Sequence, residues 1–236
     1  MSASGPKAVM LGARARALRA RRRLKLQLEL RSGARRAALV GSPELWESQR
    51  RFQFDFLTSH GLQPEHRLVD IGCGTLRGGI PLIEYLDDGN YTGIEARATV
   101  LDEGRKELLD AGLQEKHPVL INASDPANVE LGAPVDVAWA FMALIHMPDA
   151  IADAYLELLA RGLAQDGKFY GNVNLGERPD GSWQGFPVVT RKHEFYEGLA
   201  ASHGLEVKDV GVLESLGHKL GAPGDKTMML CFTRAS

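Results

Sequence analysis

The stretch Leu68-Val69-Asp70-Ile71-Gly72-Cys73-Gly74-Thr75-Leu76-Arg77-Gly78-Gly79 constrains this chain more than any other. Leu68 to Ile71 reads as a buried strand of a parallel sheet that ends at a glycine turn. Gly72 and Gly74 carry no Cβ, so the backbone can bend sharply there and let a ligand approach closely. The residues after the bend, to about Tyr85, read as a helix whose free N–H groups would face that ligand. Strand, turn and helix together make a nucleotide-binding βα unit.

Two carboxylates narrow the ligand. Residues 91–96 form a second short strand that carries Glu95 about twenty residues after Gly74. A carboxylate at that place can accept hydrogen bonds from both hydroxyls of a ribose, in NAD or in S-adenosylmethionine. A dinucleotide asks for a third glycine three residues after the second, so that the helix packs close beneath a pyrophosphate. Here that position is Arg77. Asp70, two residues before the first glycine, suits a cationic cofactor and would repel a diphosphate.

On these residues the chain resembles the class I S-adenosylmethionine-dependent methyltransferases. Asp70-Ile71-Gly72-Cys73-Gly74 matches the first motif of that family, and Glu95 its ribose carboxylate. Residues 136–147 and 163–171 look similar as well, and the resemblance spans residues 62–234. It implies S-adenosylmethionine as cofactor, held by Asp70, Gly72, Cys73, Gly74, Arg77, Glu95 and Ala96. Ala123, Ser124 and Asp125, after a third strand, would hold the adenine, and Ala140 and Phe141, at the end of a fourth, would also bind the cofactor. One departure stands out: where the family often has glycine, this chain has Leu76, so the loop is expected to lie differently against the methionine end of the cofactor.

The rest of the chain alternates strand and helix. Helices are expected from Ser42-Pro43-Glu44, a start signal with Ser42 as cap, to about Ser59, and over residues 97–112. In the second of these Leu101, Leu108 and Leu109 should point inward and Glu103 outward. Two more helices are expected, one starting near Pro148-Asp149 and one over residues 191–203. The third, fourth and fifth strands are placed at residues 118–121, 135–141 and 167–173. The alternation implies an α/β, doubly wound, mostly parallel sheet with helices on both faces. By resemblance it is Rossmann-like and seven-stranded, with residues 205–213 and 227–234 forming an antiparallel C-terminal edge. Residues 174–189 contain Gly and Pro punctuation and two aromatic residues, Trp183 and Phe186, and read as an irregular loop that could cover a substrate.

Composition adds an asymmetry. Residues 1–36 hold 11 Lys and Arg against Glu29 alone, which leaves 17 basic and 29 acidic residues in the remainder. A basic extension, residues 1–40, is thus joined to an acidic domain, residues 41–236. The arm is either a nucleic-acid or anionic-surface contact, or a segment lying on the acidic body; no aromatic residues interleave its charges to stack on bases. An organelle transit peptide is a further reading of an Arg-rich, acid-poor start. No apolar run is long enough to span a bilayer. Cys73 and Cys231 lie far apart, which fits a reduced, cytoplasmic protein, with Cys73 a small residue chosen for fit rather than a reactive thiol.

For the chemistry, a hydroxyl acceptor needs a base, and His146 is the candidate, because it follows the fourth strand at the carboxyl edge of the sheet. The alternative is a histidine that packs under the cofactor or caps the next helix. Trp46 and Gln49 are candidate pocket residues from the helix before the first strand. Asn172 and Asn174 share one face and could bind a polar, saccharide-like substrate or satisfy backbone groups, and Trp183 could lie over it. Asp125 could equally cap a turn before Pro126. His193, His203 and His218 are weaker candidates, and no spacing suggests a metal site. The leading expectation is O-methylation of a small polar molecule. A nucleic-acid methyltransferase using the basic arm, an NAD-dependent oxidoreductase and a non-catalytic cofactor-binding module remain as alternatives, and oligomeric state is open.

Overall fold

The computed structural model describes residues 36, 39–41, 43–183, 185–218 and 227–235. Apolar runs of four to six residues build the centre of the sheet: β1 (Leu68–Ile71), β2 (Tyr91–Glu95), β3 (Val119–Asn122) and β4 (Val135–Ala140). β5 (Leu163–Asn174) is longer and begins where the preceding helix ends. A separate two-stranded ribbon, β6 (Gly181–Trp183) and β7 (Phe186–Val188), precedes β8 (Leu205–Val212) and β9 (Thr227–Arg234). The sheet order is β3-β2-β1-β4-β5-β9-β8. Strands β1 to β5 pair in parallel, and β9 runs antiparallel to both β5 and β8. This is the doubly wound parallel sheet that the strand–helix alternation implies, with the antiparallel edge that the family resemblance implies.

The helices are α1 (Trp46–Ser59), α2 (Gly79–Tyr85), α3 (Ala98–Asp110), α4 (Asp149–Gly162) and α5 (His193–Ser202). Alternation within the strands sorts the core into two layers. Val69 and Ile71 of β1 face α4 and α5 through Tyr155, Leu159, Tyr196 and Ala200. Leu68, with Val137 and Trp139 of β4, faces α1, α2 and α3 through Phe56, Leu82 and Leu101. The order reverses between β1 and β4, so the crevice at their carboxyl ends is where a ligand of this architecture binds.

Three expectations need correction. Residues 174–189 are not an irregular loop: β6 and β7 pair antiparallel, and Arg191 pins the ribbon through Asp180 at 2.5 Å and Asp149 at 2.8 Å. In α3, Leu101 and Leu108 are buried but Leu109 is exposed, while Glu103 turns inward. Glu103 is buried because cations cover it: Lys106 reaches it at 2.8 Å and Arg36 Nε at 3.7 Å. Arg36 itself is buried and also binds Glu107 at 2.5 Å and Asp110 at 2.6 Å. Arg36 therefore meets the acidic face of α3, and the carbonyls of Leu39 and Val40 accept from Arg97 and Arg77. Ser42 and the rest of the extension lie outside the described residues. Pro43–Leu45 form a short 3-10 turn that leads into α1. Among the described residues, no helix is long and apolar enough to cross a membrane.

Candidate functional site

β1 ends at the bend that dominates the sequence. Gly72 and Gly74 take φ of +75° and +59°, in the left-handed region that favours glycine. A Cβ on Gly72 would fall 2.7 Å from Ala143 Cβ, and one on Gly74 would fall 2.8 Å from Val40 Cγ1. The turn is held to β2 by Gly72 N–H and Cys73 N–H, which both donate to Ile94 O, at 2.8 and 3.1 Å. Leu76, the residue that departs from the family's glycine, keeps a left-handed φ of +61° and is fully buried. Cys73 is buried, and burial pushes its thiol well above the ordinary range, so it packs rather than reacts.

Glu95 stands at the end of β2, directly beside the turn. Its Oε2 accepts from Gly74 N–H at 3.1 Å, and its Oε1 accepts from both the backbone N–H and Nε of Arg97 at 2.9 Å. Arg97 was not singled out by the sequence, and it ties three elements together. It bonds Glu95, donates from Nη1 to Leu39 O at 3.2 Å, and lies 4.7 Å over the Phe186 ring of β7. Asp70 is buried and accepts from the Tyr91 hydroxyl at 2.7 Å. Burial, with Glu95 nearby, pushes its carboxyl up to about 7. Asp70 is thus a carboxyl that a neighbouring cation would ionise, more than the fixed negative charge the sequence implied.

Asp70, Gly72, Cys73, Gly74, Arg77, Phe141 and His146 line one recess, together with Leu39, Val40, Gln53, Arg97, Met142 and Phe186. The recess encloses about 100 Å³. Sites for drug-sized ligands span about 300–1,000 Å³. Gln53 lies one helical turn after Gln49 on the buried face of α1; the others owe their place to long-range packing.

His146 ends a short 3-10 turn after β4, and its Nδ1 lies 2.7 Å from Pro187 O. A carbonyl can only accept, so Nδ1 carries the proton and Nε2 the lone pair. Burial lowers the ring's pKa from 6.5, which keeps it neutral at pH 7. Asn172 and Asn174 do share a face, but both side chains serve the protein. Asn172 Oδ1 accepts from Met142 N–H at 2.6 Å, supporting that residue's left-handed φ of +54°. Asn174 Nδ2 donates to Val189 O at 3.3 Å, and its Oδ1 accepts from Thr227 at 3.2 Å. They hold the floor of the site and do not line the recess.

Ala96, Ala123, Ser124 and Asp125 gather at the outer ends of β2 and β3. Asn122 Nδ2 ties the two ends together, donating to Glu95 O at 2.8 Å and Ala96 O at 3.1 Å. Asp125 Oδ1 accepts from Ala127 N–H at 2.9 Å and caps a short turn. Ala140 is fully buried within β4. Trp46 lies against Arg50 and Arg77, at 5.4 and 5.9 Å, and Gln49 is buried on the same helix. The backbone of Trp183 belongs to β6, while its side chain lies outside the described residues. No group of three or more His, Cys, Asp and Glu among the described residues could hold a metal ion.

A family model described as a methyltransferase domain matches residues 69–169, from β1 into β5. The fold is also that of solved structures with little sequence in common. An S-adenosylmethionine-dependent methyltransferase from Clostridium acetobutylicum ATCC 824 superposes with a TM-score of 0.61 at 11% identity, over 81% of this chain and 92% of that one. Magnesium protoporphyrin IX methyltransferase from Synechocystis PCC 6803, solved with bound S-adenosylmethionine, gives 0.57 at 16% identity over 80% and 78%. A glycopeptide N-methyltransferase solved with S-adenosylhomocysteine gives 0.58 at 15% identity over 78% and 88%. No curated protein matches the chain by sequence.

Proposed function

We propose that this chain is a class I S-adenosylmethionine-dependent methyltransferase that places a methyl group on a hydroxyl of a small polar molecule, with His146 as general base. The residues fit the cofactor. The left-handed glycine turn, the Glu95 carboxylate bonded to its Gly74 N–H and the Asp70 carboxyl in the recess support this reading. When bound, the cofactor supplies a methyl group already activated by a positive sulfur.

The protein's share is then alignment, exclusion of water and removal of a proton. Phe141, Met142 and Phe186 give the recess apolar walls. The hydrogen bond to Pro187 O is the observation that supports the assignment of His146, since it orients the ring and fixes the proton on Nδ1, which makes Nε2 the basic nitrogen. Because burial lowers the ring's pKa, the base is in its working form at neutral pH. Asn172 and Asn174 act at one remove, by holding the Met142 turn and the Val189 strand end against which this histidine sits.

The test is methyl transfer from labelled S-adenosylmethionine to a panel of saccharides and other polyols, with phenols, amines and RNA alongside. Transfer to a hydroxyl should fall by about 10²- to 10⁴-fold in His146→Gln. In the wild type, kcat/KM should drop on the acid side only below the ordinary histidine pKa, because the ring's own value is lowered. Unchanged turnover in His146→Gln, or transfer to RNA alone, refutes the assignment.

A further inference from the structure

Glu95 is already well supplied with donors. Gly74 N–H donates to its Oε2 at 3.1 Å, and Arg97 donates both its backbone N–H and its Nε–H to Oε1, each at 2.9 Å. An ionised carboxylate has about four acceptor positions. Three donors leave too few for the two hydroxyls of a ribose, so one of the three has to yield. The Gly74 N–H is fixed in the glycine turn, and the Arg97 N–H is fixed at the residue that begins α3. The Arg97 Nε is different, because it stands on a side chain that is 33% exposed and can swing.

The same guanidinium has two other holds. Its Nη1 donates to Leu39 O at 3.2 Å, and it lies 4.7 Å over the Phe186 ring. When Glu95 lets go, it pivots on these. Phe186 belongs to β7, and the next residue, Pro187, accepts at 2.7 Å from His146 Nδ1. The Phe186 and His146 rings are themselves 5.9 Å apart. The base of the ribbon is tied down: Arg191 binds Asp180 and Asp149, and Val189 N–H donates to Ile145 O at 2.9 Å. A movement of Arg97 is thus delivered to the ribbon tip, and the tip holds the histidine. The Arg97 charge reaches the ring as well. Burial lowers the pKa of His146 most, the bond to the Pro187 carbonyl raises it, and Arg97 lowers it further.

We propose that Arg97 is a positioning residue that couples the ribose site to His146: a ribose displaces its Nε from Glu95, and the guanidinium carries that displacement through Phe186 and Pro187 to the imidazole. The proposal rests on the methyl-transfer reading for the identity of the nucleoside. The base is then set for proton removal only when the methyl donor is in place.

Titration calorimetry with S-adenosylhomocysteine and an NMR pH titration of the His146 ring, both on the full chain, test it. Arg97→Met removes the competitor for Glu95 and should bind S-adenosylhomocysteine about 3- to 10-fold more tightly than the wild type. In the wild type, S-adenosylhomocysteine should move the titration midpoint of His146. In Arg97→Met that midpoint should start higher and move less. A merely structural role for Arg97 gives the opposite pattern, weaker binding with an unaltered response of the ring. Arg97→Gln keeps a polar side chain but removes the charge, should show the same changes, and carries the test if Arg97→Met does not fold. Equal or weaker binding in the variants overturns the proposal, as does an equal shift of the His146 midpoint in variant and wild type. Failure of the wild type to bind S-adenosylhomocysteine at all is a different result, and it overturns the methyl-transfer reading together with the coupling built on it.

Discussion

Gly72→Ala separates the two physical demands that the glycine turn makes. At φ +75° an L-residue pays about 1–2 kcal/mol of backbone strain. Its new methyl would also sit 2.7 Å from Ala143 Cβ, well inside van der Waals contact. Overpacking of this kind costs about 1–3 kcal/mol. The single substitution should therefore destabilise by about 2–5 kcal/mol in urea denaturation, with an unchanged denaturant slope. Ala143→Gly removes only the second demand, because the next nearest atom, Ala143 Cα, is 3.9 Å away and in ordinary contact. The double variant should accordingly recover about 1–3 kcal/mol relative to additivity, while the strain at position 72 remains. The pairing matters for function, since Ala143 begins the turn that carries His146. A loss below about 0.5 kcal/mol in Gly72→Ala, or no coupling with Ala143→Gly, refutes the reasoning.

Leu76→Gly should destabilise even though it installs the glycine that relatives often have there. Relief of the strained φ returns about 1–2 kcal/mol, and loss of a fully buried leucine side chain costs about 2–5, so thermal or urea unfolding should show a net loss. Asp70 has a folded pKa of about 7, raised by burial from an unfolded value near 4. Between those values the folded state holds a proton that the unfolded state has lost, so stability should fall as pH rises from about 4 to about 7 and then level off. Asp70→Asn should remove that component of the slope, and an identical pH–stability curve in the variant contradicts it.

The turn and its carboxylate were legible because both are local: a strand, two glycines and an acid at a fixed spacing need no knowledge of distant residues. The parallel part of the sheet followed from alternation, and its antiparallel edge from the family resemblance. Less local features did not read through. The β6–β7 ribbon has only three residues a side and is built from Gly, Pro and single aromatics, too short for a period-two pattern to register. Asn172 and Asn174 were placed on one face, as their spacing requires, but their partners, Met142 N–H and Val189 O, come from other elements. Arg97 is a local neighbour of Glu95, yet its grip on Leu39 O and Phe186 exists only once the segment before α1 and the ribbon meet over the turn. His218 stands in a connecting loop without periodicity, so only packing reveals that it is buried and without a partner.

Calorimetric titration of the purified protein with S-adenosylhomocysteine, NAD and the Glu95→Gln variant tests the assignment at its root. S-adenosylhomocysteine should bind the wild type, NAD should give no signal, and Glu95→Gln should bind S-adenosylhomocysteine about 10- to 100-fold more weakly, as expected for loss of a charged acceptor to the ribose. Binding of NAD in place of S-adenosylhomocysteine, or an affinity indifferent to Glu95, contradicts it.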